Sequence, residues 1–97
     1  MSNNPILSRL GFARKANKLS FGFNKSKESC LLKKAKLVVV ASDVSQKSLK
    51  EIRFFAKDIP VTVIDITMEE MSQGLGLRAG IVAVNDEGFA KAILDQI

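Results

Sequence analysis

Lys36 to Ile66 reads KLVVVASDVSQKSLKEIRFFAKDIPVTVIDI, and the change of hydrophobic period inside it decides the fold. "KLVVVASD" (Lys36–Asp43) and "PVTVIDI" (Pro60–Ile66) are β-branched runs, apolar on both faces or nearly so. Strands read this way when helices cover the sheet on either side, so both runs are expected in the interior of a sheet. Between them, "SQKSLKEIRFFAKD" places Leu49, Ile52 and either Phe55 or Ala56 on one helical face. Strand, helix and strand in succession make a crossover unit, the building block of α/β architecture.

The same alternation continues in both directions. Upstream, "KLSFGF" (Lys18–Phe23) alternates Leu19, Phe21 and Phe23 as a short strand, and Asn24 is expected to cap a helix with an apolar stripe of Leu31, Leu32 and Ala35. Further back, "NPILSRLGFARKANK" offers Asn4 as a cap, Pro5 at the first helical position, and Ile6, Leu7, Leu10 and Ala13 at helical spacing. Asn17 suits the left-handed turn that would end this helix. Downstream, Thr67 and Glu70 have capping-box spacing, and the helix they start should stop near Gly74 and Gly76. "GIVAVN" is a last strand, followed by "DEGFAKAILDQI", where Phe89, Ile93 and Ile97 recur one turn apart. No repeat or linker interrupts the series. The expected architecture is α/β: a three-layer α/β/α sandwich around a mixed, mainly parallel four-stranded sheet, in a single domain over residues 1–97.

Composition excludes most catalytic chemistry. The 97 residues include one cysteine and no histidine, which removes disulfides within the chain, thiolate or imidazole zinc sites and histidine-based nucleophile triads. Cys30, beside Leu31 and Leu32 with no base at hand, reads as a small core residue. "GLGLRAG" (Gly74–Gly80) has the glycines of a phosphate loop, but it joins a helix to a strand, the reverse of the order such loops require. Asp43, Asp65, Asp86 and Glu87 each stand beside a helix start and read as caps rather than catalytic carboxylates. No enzyme, cofactor, metal or small-molecule substrate is expected. With no apolar run near the roughly 18 residues a span needs and no secretory signal, no membrane partner is expected and a cytoplasmic location is.

Charge points to a polyanion. Residues 1–36 carry nine basic side chains against Glu28 alone, while residues 37–97 carry six basic and nine acidic. Clustered Lys and Arg raise the local concentration of phosphate groups and release counterions on binding. At the turn into the second helix, Gly22 would let a bulky ligand approach the backbone, the helix start would offer unsatisfied N–H groups, and Asn24 could read a base edge. Lys25 and Lys27 would reach phosphates or guanine acceptors.

Five stretches taken in order, "LGFARKANKLSFG", "KAKLVVVASDVS", "VTVIDITMEEM", "LGLRAGIVAVND" and "EGFAKAI", resemble the kink-turn RNA-binding superfamily of large-subunit ribosomal proteins seven-Ae and thirty-e, and within it the small bacterial YlxQ group. The resemblance covers nearly the whole chain. It implies an α/β/α sandwich, no catalysis, and structured RNA, in some members ribosomal, bound by the turn into the second helix and the loop before the last strand. Those elements are Gly22, Phe23, Asn24, Lys25, Lys27 and Glu28, and Arg78, Ala79, Gly80 and Ile81, with Lys33 and Lys34 in the surrounding basic surface. Where relatives commonly read glycine, any, asparagine, glutamate, any, any, lysine, this chain has Gly22, Phe23, Asn24, Lys25, Ser26, Lys27 and Glu28. Lys25 and Glu28 thus exchange the charges of the pattern across one helical turn, where an ion pair between them would preserve neutrality. A monomeric RNA-binding protein associated with the ribosome or translation is expected; the alternative is a protein-interaction module that keeps the fold without specific RNA recognition.

Overall fold

The computed structural model describes residues 4–76 and 78–97, so Met1 to Asn3 and Leu77 of the glycine-rich run lie outside the description. Nine elements follow one another: α1 (Pro5–Lys15), β1 (Leu19–Phe21), α2 (Phe23–Leu31), β2 (Leu37–Val40), α3 (Gln46–Ala56), β3 (Val61–Val63), α4 (Met68–Leu75), β4 (Ile81–Val84) and α5 (Glu87–Leu94). The strands form one sheet in the order β1-β4-β2-β3. It is mixed, as expected, with parallel pairing confined to β2 and β3; β4 runs antiparallel to both β1 and β2. The parallel weight of the expectation is corrected accordingly, because the last strand inserts between the first two.

That insertion also decides which runs are interior. β2, with all four residues buried, has a neighbour on each side. β3 does not: it lies on the sheet edge, and Val63 is 43% exposed. The apolar run at Pro60–Ile66 reads as interior because Ile64 and Ile66, beyond the strand proper, are buried beside α4 and α1 residues.

The two faces of the sheet separate cleanly by alternation. Leu37, Val39, Val82 and Val84 face a core shared with Leu7 and Leu10 of α1, Met71 and Leu75 of α4, and Ala90 and Ile93 of α5. Val38, Val40, Ile81 and Ala83 face Cys30 of α2 and Ile52 and Ala56 of α3. This is the expected three-layer sandwich, with each fully buried side chain such as Leu10 or Ile52 contributing about 1.5–3 kcal/mol.

Caps follow the sequence signals on α1, α4 and α5, while α3 is capped by Ser45 rather than by the nearby Asp43. Asn4 accepts from the Ile6 N–H, Ser45 from Ser48, and Asp86 from Phe89. The Thr67 and Glu70 capping box is complete in both directions, and Asp43 reaches across 25 residues of chain to accept from the Met68 N–H at 2.9 Å. Asn17 adopts the left-handed conformation (φ 59°) and Gly76 ends α4 in the same region.

On α2 the burial departs from expectation. Leu31 and Leu32 are 55% and 56% exposed, because the helix stops at Leu31 and Lys33 reverses the chain at φ 60°. The face turned inward carries Ser26, Ser29 and Cys30 instead. These serines are satisfied by the neighbouring strand. Ser29 shares a 2.6 Å hydrogen bond with the Ser20 hydroxyl, Asn85 donates to that hydroxyl at 2.9 Å, and the Ser26 hydroxyl donates to the Ser20 carbonyl. A buried hydroxyl left without its partner costs about 1–3 kcal/mol. Ser20→Ala is therefore expected to lower unfolding free energy by about that amount in urea titration. The Ser20→Ala/Ser29→Ala double variant should be no less stable than the single, since removing both partners leaves fewer orphaned groups.

Candidate nucleic-acid interface

α2 begins differently from the other helices. Its cap position is Gly22, at φ 87° and ψ 169°, with no side-chain hydrogen bond to the first turn. The expected role of Asn24 as cap is corrected here: the helix already begins at Phe23, so Asn24 is its second residue and makes no capping hydrogen bond. Gly22 fixes this start, since positive φ combined with extended ψ is a region essentially reserved for glycine. The chain must turn from β1 into α2 within one residue, and no side chain is available there to satisfy the first amides. The backbone N–H groups of the first turn are thus available to an anion, at the positive end of the helix dipole.

The same residue ties the turn to the segment before β4. The Gly22 N–H donates to the Ile81 carbonyl at 2.8 Å, and the Gly80 carbonyl in turn accepts from Ala41. The first of these bonds joins one residue of each region the sequence singled out, Gly22 of residues 22–28 and Ile81 of residues 78–81. Asn24, Lys25 and Arg78 are exposed there. Ala79 and Ile81 are 7% and 5% exposed, so their side chains belong to the core and only their backbone borders the surface. Gly80 is needed for packing: a Cβ there would lie 2.6 Å from the Met68 sulfur and 2.8 Å from Val44 Cγ2.

Other candidates are placed elsewhere. Lys33 and Lys34 follow the C-terminal end of α2, about 14 Å from Asn24 along a nine-residue helix. Lys27 sits over the Phe55 ring, with its ammonium 4.2 Å from the centroid, and is held by that cation–π contact. Glu28 is exposed on α2, and no ion pair joins it to Lys25 among the described residues. Burial pushes the Cys30 thiol up from its ordinary pKa, which keeps it protonated and inert. Sequence reasoning missed the polar seam of Ser20, Ser26, Ser29 and Asn85 that seats α2; serines at positions 26 and 29, one helical turn apart on the inward face, were the available signal.

Gly22 and Gly11 should respond oppositely to alanine. An added Cβ meets nothing within 4 Å at either site, but only Gly22 has positive φ. Gly22→Ala is expected to destabilise by about 1–3 kcal/mol through backbone strain, and Gly11→Ala to stabilise by about 0.5–1 kcal/mol. Urea unfolding of the two variants measures both.

Comparison with known proteins agrees with the fold. The family model of the Ribosomal protein L7Ae/L30e/S12e/Gadd45 family matches residues 5–94. A solved structure described as a protein with unknown function from Bacillus halodurans C superposes with a TM-score of 0.90 at 23% identity, over 97% of each chain. The Giardia lamblia 15.5kD RNA binding protein superposes with a TM-score of 0.78 at 12% identity, over 95% of this chain and 81% of that one. No curated protein sequence gives a significant match. The order of elements, the sandwich and the family match over residues 5–94 lead to one conclusion: the chain belongs to the Ribosomal protein L7Ae/L30e/S12e/Gadd45 family.

Proposed function

We propose that this protein is a non-catalytic RNA-binding protein that holds a structured RNA, of the kink-turn type, at the start of α2 and the segment before β4. The observation that carries the reading is the uncapped α2 N-terminus, joined to Ile81 by the Gly22 hydrogen bond, with Asn24 and Lys25 exposed in its first turn and Arg78 exposed three residues before Ile81. Every other described helix has a side-chain cap on one of its first-turn amides, and α2 is the one among them with none, which leaves its full first turn open to a phosphate. Asn24 supplies both a donor and an acceptor for a base edge, and Lys25 and Arg78 supply charge. Family membership and the RNA binding of the Giardia lamblia neighbour support the same partner. Lys33 and Lys34, exposed at the far end of α2, add to the positive surface that draws RNA to the protein. A cytoplasmic, ribosome-associated monomer is the setting in which such a protein would act.

The test is a titration at fixed salt with an RNA carrying tandem sheared G·A pairs, against a plain duplex as control. Asn24→Ala should weaken the first by about 5- to 150-fold, the worth of a well-formed base contact, and leave the duplex nearly unchanged. Equal affinity of Asn24→Ala and the natural protein for the G·A RNA would overturn the reading. The Lys25→Glu/Glu28→Lys exchange restores the pattern of the relatives and is expected to raise affinity for the same RNA. Residues 24 and 28 lie one turn apart on one face, so a lysine at 28 stands beside Asn24 and can donate to guanine.

A further inference from the structure

The opposite end of α2 carries a second surface of different chemistry. The C-terminal ends of α2 and α3 and the chain leading into β3 enclose an open groove of about 510 Å³. Leu31, Phe55 and Ile59 form its apolar wall, and Lys33, Lys36 and Lys57 stand around it, with Asp58 the one carboxylate of its lining among the described residues. Next to it the surface remains apolar: Leu31 and Leu32 are 55% and 56% exposed, and Phe54, which packs edge-on against Phe55, is 73% exposed. Leucine and phenylalanine exposed to this degree, grouped around a concavity, mark an interaction site more often than chance exposure. Lysine rims around apolar grooves select a ligand that alternates apolar anchors with carboxylates.

We infer that this groove docks an acidic, amphipathic segment of a partner protein, with leucine- or phenylalanine-type anchors against Leu31, Phe55 and Ile59 and carboxylates against Lys33, Lys36 and Lys57. Charge complementarity and shape both favour a protein over a nucleic acid. The Phe55 ring is already occupied, with the Lys27 ammonium on its face and Phe23 and Phe54 packed against it at steep angles, so it offers no flat platform for a base. The aliphatic Leu31 and Leu32 have no counterpart in a phosphate backbone. Leu31, Lys33 and Lys36 of the groove lie at the other end of α2 from Asn24, while Phe55 of its wall packs against Phe23. The inference stands independently of the RNA reading.

A library of phage-displayed 16-residue peptides, panned on the full chain, tests it. Recovered peptides should interleave Leu, Ile or Phe with Asp or Glu, and their binding to the full chain should fall roughly tenfold or more in Leu31→Ser and in the Lys36→Glu/Lys57→Glu variant. All three positions are exposed, so circular dichroism should remain native. Asn24→Ala should bind the same peptides as the natural protein does. Recovery of no acidic apolar peptide, or of peptides indifferent to these substitutions, would overturn the inference. So would a structured RNA that displaces the peptides while leaving Asn24 exposed, since the groove would then be a nucleic-acid surface.

Discussion

The 2.8 Å hydrogen bond from the Gly22 N–H to the Ile81 carbonyl is the contact on which the start of α2 depends. It extends the β1/β4 ladder one step past Phe21 and Val82, and it does so at the residue where the chain leaves the strand for a helix. Gly22 can be both the last strand partner and the helix cap only because its backbone adopts a conformation reserved for glycine. The consequence is a helix start without a side-chain cap, pressed against the loop that precedes the central strand. Sequence sets the glycine, the glycine sets the turn, and the turn leaves first-turn amides facing out.

The seating of α2 is the second constraint. A helix whose inward face carries Ser26, Ser29 and Cys30 buries little apolar area, so its position is set by hydrogen bonds to Ser20 as much as by packing. Such bonds are directional, and they fix the rotation of the helix that aims Asn24 and Lys25 outward. At the far end the helix stops at Leu31 and the chain reverses at Lys33, which leaves Leu31 and Leu32 at the surface. The helix thus carries two surfaces: a hydrogen-bonding one at its start and an apolar, lysine-rimmed one at its end.

Much of the architecture was legible because local signals and tertiary structure agree. The β2 run, the α3 stripe at Ile52 and Ala56, the Thr67 and Glu70 capping box and the turn at Asn17 follow from residue type and spacing alone. The edge position of β3 was not legible, since it depends on β4 inserting between β1 and β2, a choice no single segment encodes. Asn24 reads as a cap because asparagine commonly is one, and only the backbone angles of Gly22 show that the helix starts earlier. The inward serines of α2 were missed for a related reason: periodicity arguments weigh apolar side chains and overlook polar ones that find partners on a neighbouring strand. A link between the turn into α2 and the segment before β4 was expected from resemblance, and the Gly22 to Ile81 bond joins one residue of each.

Backbone amide shifts of the isotopically labelled full chain, followed as a tandem-G·A RNA is added, test the central claim most directly. The account predicts that the amides of Phe23, Asn24 and Lys25 move first and furthest, together with those of residues 78–81, as they must if the uncapped helix start is the proposed phosphate site. Shifts concentrated instead at Lys33 and Lys34, with residues 22–25 unmoved, would contradict it and assign the RNA to the surrounding basic surface.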